Sequence, residues 1–288
     1  MNSSLRDVKS IELWIATRSS SEEPFIESLS SYYTSGIGEL TDLYIILPYQ
    51  LEEPENSVKA IESLLKVCPK LEDLQLDLSR HGFVAKECIL AHCQTLECLM
   101  LGTGKSKICS HFTVTEMTAV LRACIHLKYL AVNMPACDLG TITELGTGFH
   151  PKEEFADMLA VVSTHPVLNA FRILNLPTVN FGDVYETESV PMNEQVYSCQ
   201  ALMQDYANKI LRFMAGRGSK LRVLIIKPSS EVLNADGDPY DVDLNGHQWP
   251  EYHYARGHLE DFTGMKGVVA HPLRDALLDF PDLGPLLN

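Results

Sequence analysis

Cys68-Pro-Lys-Leu71-Glu-Asp-Leu74-Gln-Leu76 decides how this chain folds. Its pattern is an apolar residue, two variable ones, a second apolar residue, one variable and a third. The pattern occurs six times, in copies opening at Leu40, Leu71, Leu96, Leu127, Leu168 and Leu221. A weaker copy, Val8-Lys-Ser-Ile11-Glu-Leu13, stands near the start. Alternation at the end of each unit predicts a short strand with one dry face and one wet face. A lone unit cannot bury its dry face, so repetition at intervals of tens of residues predicts units stacked side by side.

The intervals between opening residues are 32, 31, 25, 31, 41 and 53. Leucine-rich repeats run about 20–29 residues, and units at or above that length favour a full helix on the convex side. Ser57 to Val67 carries Val58, Ile61, Leu64 and Leu65 on one stripe, with Ser57 as its N-cap. Thr113-Val-Thr-Glu116 reads as a capping box opening a helix with Met117, Val120 and Leu121 inward. Pro151 followed by Lys-Glu-Glu suits a first helical turn, with Phe155, Leu159 and Val162 as the buried face. A surface loop over 177–195 precedes a helix over 196–215. The expected fold is α/β: a leucine-rich-repeat solenoid, a curved horseshoe with a parallel sheet on the concave face and helices outside. About seven irregular repeats fill 1–228, and 229–288 forms an acidic loop and a C-terminal capping segment. There Tyr252 and Tyr254 alternate, Gly257 turns the chain, and Val268-Val269 resumes extended structure. The resulting hairpin would cover the edge of the last repeat, with Trp249 and Phe262 packed on its apolar end.

At 288 residues and 45% apolar composition the chain has ample material for a core. No run reaches the ~18 consecutive apolar residues of a membrane span, and the opening residues lack a secretory hydrophobic stretch. Twenty-three basic against 38 acidic residues give −15, which opposes nucleic acid and anionic lipid as partners. A soluble cytoplasmic or nuclear protein is expected. Cys68, Cys93 and Cys124 each fall three residues before an opening leucine, a slot held by His165 and Gly218 in the next two copies. One structural position at the end of each helix accounts for them as free thiols packed like small apolar residues, without metal or disulfide.

Gly102-Thr-Gly104-Lys105-Ser106 lacks the glycine a phosphate loop needs, since Leu99 stands in its place. Asp241-Val-Asp243-Leu-Asn245-Gly246 matches the first half of a calcium loop. Tyr252 stands where the bidentate glutamate belongs, and an acidic, turn-rich surface loop is the preferred reading. No nucleophile elbow or metalloprotease pair occurs, so no catalytic residue and no cofactor are assigned.

What the repeats offer is a surface. Apolar positions point inward, so the alternate places line the concave face: Tyr44 and Ile46, Gln75 and Asp77, Met100 and Gly102, Ala131 and Asn133, Arg172 and Leu174, Ile225 and Lys227. Aromatic, Met and Arg residues are the types that anchor protein partners.

Units of the form Cys68-Pro-Lys-Leu71-Glu-Asp-Leu74-Gln-Leu76 resemble those of the leucine-rich-repeat F-box proteins. The tail, Gly246-His-Gln-Trp-Pro-Glu-Tyr-His-Tyr-Ala-Arg-Gly257 with Val268-Val-Ala-His-Pro272, is similar to the closing segment of fungal members. The resemblance implies a substrate-binding module of a cullin-based ubiquitin ligase. The first repeat begins by Val8, which leaves no room before it for an F-box. A Skp-type linker and a cullin are therefore implied as partners only if an F-box exists outside this chain. The alternatives are a standalone repeat scaffold or inhibitor and, more distantly, an enzyme with loop-borne residues.

The register makes a stability forecast. Leu74→Ala should cost about 2–5 kcal/mol as a core cavity, whereas Asp77→Ala should stay within about 0.5 kcal/mol. Urea unfolding of both variants checks it, and comparable losses would contradict the assignment.

Overall fold

The computed structural model describes residues 7–15, 22–35, 38–47, 54–78, 82–102, 111–135, 138–141, 153–175, 178–180, 192–226, 252–260 and 262–287. The protein is α/β, and its strands are mostly parallel. Two compact units divide it: Met1–Asn133 with Pro285–Asn288, and Met134–Gly284. Among the described residues no helix is long and apolar enough to cross a membrane.

In the first unit five strands, β1 (Ser10–Trp14), β2 (Asp42–Ile46), β3 (Asp73–Asp77), β4 (Cys98–Gly102) and β5 (Tyr129–Val132), pair in parallel in chain order. Their register matches the repeat pattern residue for residue: Ile11, Leu43, Leu74, Leu99 and Leu130 lie in one row, and Leu13, Ile45, Leu76, Leu101 and Val132 in the next. The weak copy at Val8 is thus a true member of the stack. A single backbone device recurs at each step. The carbonyl of Lys9 accepts from the N–H groups of Thr41 and Asp42, Thr41 from Glu72 and Asp73, Glu72 from Glu97 and Cys98, and Glu97 from Lys128 and Tyr129, all at 2.8–3.1 Å.

The helices α1 (Glu22–Thr34), α2 (Pro54–Val67), α3 (Lys86–Leu90) and α4 (Val114–Ala123) fill the intervals between strands. Their stripes Ile61, Leu64 and Leu65, then Ile89, then Met117, Val120 and Leu121 are buried with the inward leucines. The capping box forms: Thr113 Oγ1 accepts from the Glu116 N–H, and the Glu116 carboxylate accepts from the Thr113 N–H at 2.9 Å. Helix α2 corrects one expectation. It begins at Pro54, whose fixed φ suits the first helical turn, so Ser57 lies inside the helix and is buried rather than capping it.

The second unit carries α5 (Glu153–Ser163), β7 (Ala170–Ile173), α6 (Met192–Ala215) and β9 (Val223–Ile226), with β7 and β9 parallel. The carbonyl of Asn169 accepts from the Arg222 and Val223 N–H groups at 2.8 and 3.1 Å, the same device again. A separate two-stranded parallel sheet joins β6 (Asp138–Thr141) to β8 (Thr178–Asn180). Helix α6 starts four residues before its expected beginning and stops at a Schellman cap. There the Ser219 N–H reaches the Met214 carbonyl and Gly218 takes φ 83°, which only glycine adopts at little cost.

Beyond β9 the chain returns as an antiparallel hairpin, β10 (Tyr252–Glu260) and β11 (Lys266–Pro272), with β10 paired to β9 as expected of a cap. The edge of β11 is covered by one stripe of α6. The Gln204 amide donates to the Ala270 carbonyl, Asn208 accepts the Ala270 N–H at 2.8 Å, and Arg212 Nε donates to the Val268 carbonyl at 2.9 Å. Two tail expectations fail. Gly257 does not turn the chain but sits within β10 opposite Val269, where an added Cβ would lie 1.8 Å from the His271 ring. Phe262 does not pack on the apolar end. It stands fully exposed at the hairpin tip.

His92 is 2% exposed and joins two successive units. Its Nδ1 accepts the Leu71 N–H at 3.2 Å, so the ring proton sits on Nε2, 3.0 Å from the Leu65 carbonyl. Burial lowers its pKa below 6.5, against the pull of the Leu65 carbonyl. The unfolded chain therefore binds more protons, and this stability is present above about pH 6.5 and lost as pH falls. His92→Leu orphans both backbone groups at about 1–3 kcal/mol each. Urea midpoints at pH 7.5 and 5.5 should show a large loss and a flatter pH slope than wild type; an unchanged slope would contradict this role.

Candidate functional site

The face of the first unit opposite the leucine ladders is built by the alternate strand positions. Three rows cross it: Ser10, Asp42, Asp73, Cys98 and Tyr129; Glu12, Tyr44, Gln75, Met100 and Ala131; Trp14, Ile46, Asp77 and Gly102. Neighbouring members of a row stand about 4.8 Å apart, the spacing of paired strands.

Accessibility falls along these rows from β1 to β4. Ser10, Glu12 and Trp14 on β1 are exposed, Trp14 at 71%, and Asp42, Tyr44 and Ile46 on β2 are half-buried. On β3, Asp73 and Asp77 stay half-open while Gln75 is buried, and all of β4 is buried.

The expected open face is therefore narrower than the pattern of alternation suggests. Tyr44, Ile46 and Asp77 are accessible, with Gln75 at its margin. Met100, Ala131 and Asn133 are enclosed in the first unit, as are Arg172 and Ile225 on the second unit's β7 and β9. Leu174 is half-buried. Lys227 lies outside the described residues, as do Gly104-Lys105-Ser106, the Asp241–Gly246 segment, Trp249 and residues 181–191. The physical reason is written in the enclosed strands. Cys98-Leu-Met-Leu-Gly, Tyr129-Leu-Ala-Val, Ala170-Phe-Arg-Ile and Val223-Leu-Ile-Ile are apolar at nearly every place, the composition of strands covered on both faces.

The residues that alternation identifies but the sequence reading passed over are Glu12, Trp14, Asp42, Asp73 and Tyr129. Each sits two residues from a recognised position or in the weak first copy. The Trp14 indole N–H donates to the Glu12 carboxylate. Asp42 and Asp73 are register partners, so two carboxylates share adjacent strands. Thr41 Oγ1 donates to Asp42 Oδ2 at 3.2 Å, and Gln75 Nε2 donates to Asp73 Oδ2 at 3.3 Å. Asp73 Oδ1 is buried and has no hydrogen-bond partner among the described residues. Burial pushes the Asp73 carboxyl up to about 6, helped by Asp42, while hydrogen bonds from Gln75 and the Cys98 thiol pull it down.

At the opening turn of the neighbouring units, Lys128 Nζ pairs with Glu97 Oε2 at 2.6 Å. Described cysteines 68, 88, 93, 98 and 124 are unbridged. Burial raises the Cys68 and Cys124 thiols to about 12, which keeps them protonated and inert at neutral pH. Cys68, Cys93 and Cys124 do occupy one recurrent slot after their helices, half-buried in the first two cases and buried in the third. Between α1 and α2 an open polar groove is lined by Glu27, Ser30, Ser31, Lys59 and Ser63, with no converging charge or apolar anchor that would select a ligand.

No protein-family model matches this chain, and no curated protein matches it in sequence.

The Asp73 carboxyl yields a prediction with a definite sign. Its folded pKa lies above the ordinary 3.8, so the folded state holds the proton more tightly and stability falls as pH rises from about 4 through about 6. Asp73→Asn should therefore stabilise the protein at pH 7 by about 1–3 kcal/mol, and the gain should vanish near pH 4. Thermal unfolding at the two pH values tests it; a destabilised variant at pH 7 would refute the environment described.

Proposed function

We propose that this chain is a leucine-rich-repeat protein that works by binding another protein, without catalysis of its own. The observation that carries the reading is the in-register stack, which holds Trp14, Tyr44, Ile46 and Asp77 on a rigid, accessible strand face. Aromatic and large apolar groups fixed this way lose little freedom on association, which is what makes them binding anchors. The horseshoe form expected of such arrays would make this face concave. On the resemblance of its repeats and tail to the F-box family, the bound protein is the substrate of a ubiquitin ligase in the cytoplasm or nucleus, and this chain is the substrate-holding part of the adaptor. A Skp-type linker and a cullin join it only if an F-box exists outside this chain.

A photo-crosslinking amino acid placed at Tyr44, and separately at exposed Glu27 on α1, tests the proposal in cells expressing the intact gene product. The reading expects a discrete crosslinked protein from position 44 alone, co-precipitating with a Skp-type linker and a cullin. A discrete partner without the ligase components would leave the recognition role and remove the adaptor. Equal crosslinking from both positions, or none from position 44, would remove the recognition role itself.

A further inference from the structure

The accessible strand face carries a charge pattern that names its occupant. Glu12, Asp42, Asp73 and Asp77 lie on it, and its three rows contain no lysine, arginine or histidine among the described residues. The chain as a whole is at −15, so a second copy of itself or a nucleic acid would meet like charge there. Beside the carboxylates stand Trp14, 71% exposed, and Tyr44, half-buried.

From this juxtaposition we infer that the face binds an extended, arginine-bearing segment of a partner protein, with guanidinium groups seated between Asp42 and Asp73 and against the rings of Tyr44 and Trp14. The inference rests on the recognition role proposed above and supplies the chemistry of the partner. Two features support the choice. Two carboxylates one strand spacing apart match the planar, many-donor guanidinium, which can bond both at once. Aromatic faces attract the same cation. The accessible patch spans three strands, about 10 Å across by about 13 Å along the strands, which suits two or three residues of extended chain.

The test uses the full chain and a fluorescein-labelled octapeptide of alternating arginine and serine, with its glutamate-for-arginine counterpart as the opposite charge. Anisotropy should report binding of the arginine peptide alone. The double variant Asp42→Asn/Asp73→Asn should weaken it about tenfold or more, while Glu27→Gln/Glu55→Gln, the same charge loss on the helices, should leave it unchanged. A thermal melt confirms that each variant is folded. Absence of binding, or equal weakening by both double variants, overturns the inference. A partner crosslinked from position 44 that binds the Asp42→Asn/Asp73→Asn protein as tightly as wild type also overturns it, while the recognition role stands.

Discussion

One shared carbonyl per repeat holds the strand stack together. The residue after each opening apolar position turns its C=O toward the next unit and accepts two consecutive N–H groups, at Lys9, Thr41, Glu72 and Glu97 in the first unit and at Asn169 in the second. Donors at the entry to a strand would otherwise be orphaned beside a buried leucine, a cost that folded chains avoid. Pairing them also fixes the register, and register matters because a slip of one residue would turn every inward leucine outward. The device uses backbone alone, which is why lysine, threonine, glutamate and asparagine all serve. The same positions look variable in the sequence for that reason.

That division between backbone and side chain explains what could be read beforehand. The opening and alternating apolar positions carry the packing, so strands β1 to β5, β7 and β9 fall where the six-residue pattern puts them. The capping box at Thr113 and Glu116 is local chemistry and was equally legible. The starts of α2 and α6 were not: these helices open at Pro54, whose fixed φ suits a first turn, and at Met192, ahead of Ser57 and Val196. Gly257 has the composition of a turn, yet its freedom from a Cβ serves a close approach to His271 within a strand.

The candidate face was legible only in part. Alternation separates inside from outside when the outer positions are polar, as in Asp42-Leu-Tyr-Ile-Ile and Asp73-Leu-Gln-Leu-Asp. It fails in Cys98-Leu-Met-Leu-Gly, where both faces are apolar and both are buried. Trp14, Asp42 and Asp73 escape the pattern because they stand before the central apolar residue of a copy or directly after the weak first one. His92 and Asp73 also differ in kind. His92 has a backbone partner for each ring nitrogen and reads as part of the frame. Asp73 keeps one oxygen without a donor, beside another carboxylate. Local electrostatic mismatch of that sort, on an otherwise consistent framework, belongs more often to binding surfaces than to cores.

Residue-resolved amide hydrogen exchange tests the shared-carbonyl frame most directly. The N–H groups of Thr41, Asp42, Glu72, Asp73, Glu97, Cys98, Lys128 and Tyr129 should exchange as slowly as those of the adjoining leucines, despite lying at strand entrances. If they exchanged at the rate of open loop amides while the leucines stayed protected, the units would be stacked by side chains alone and the account would be wrong.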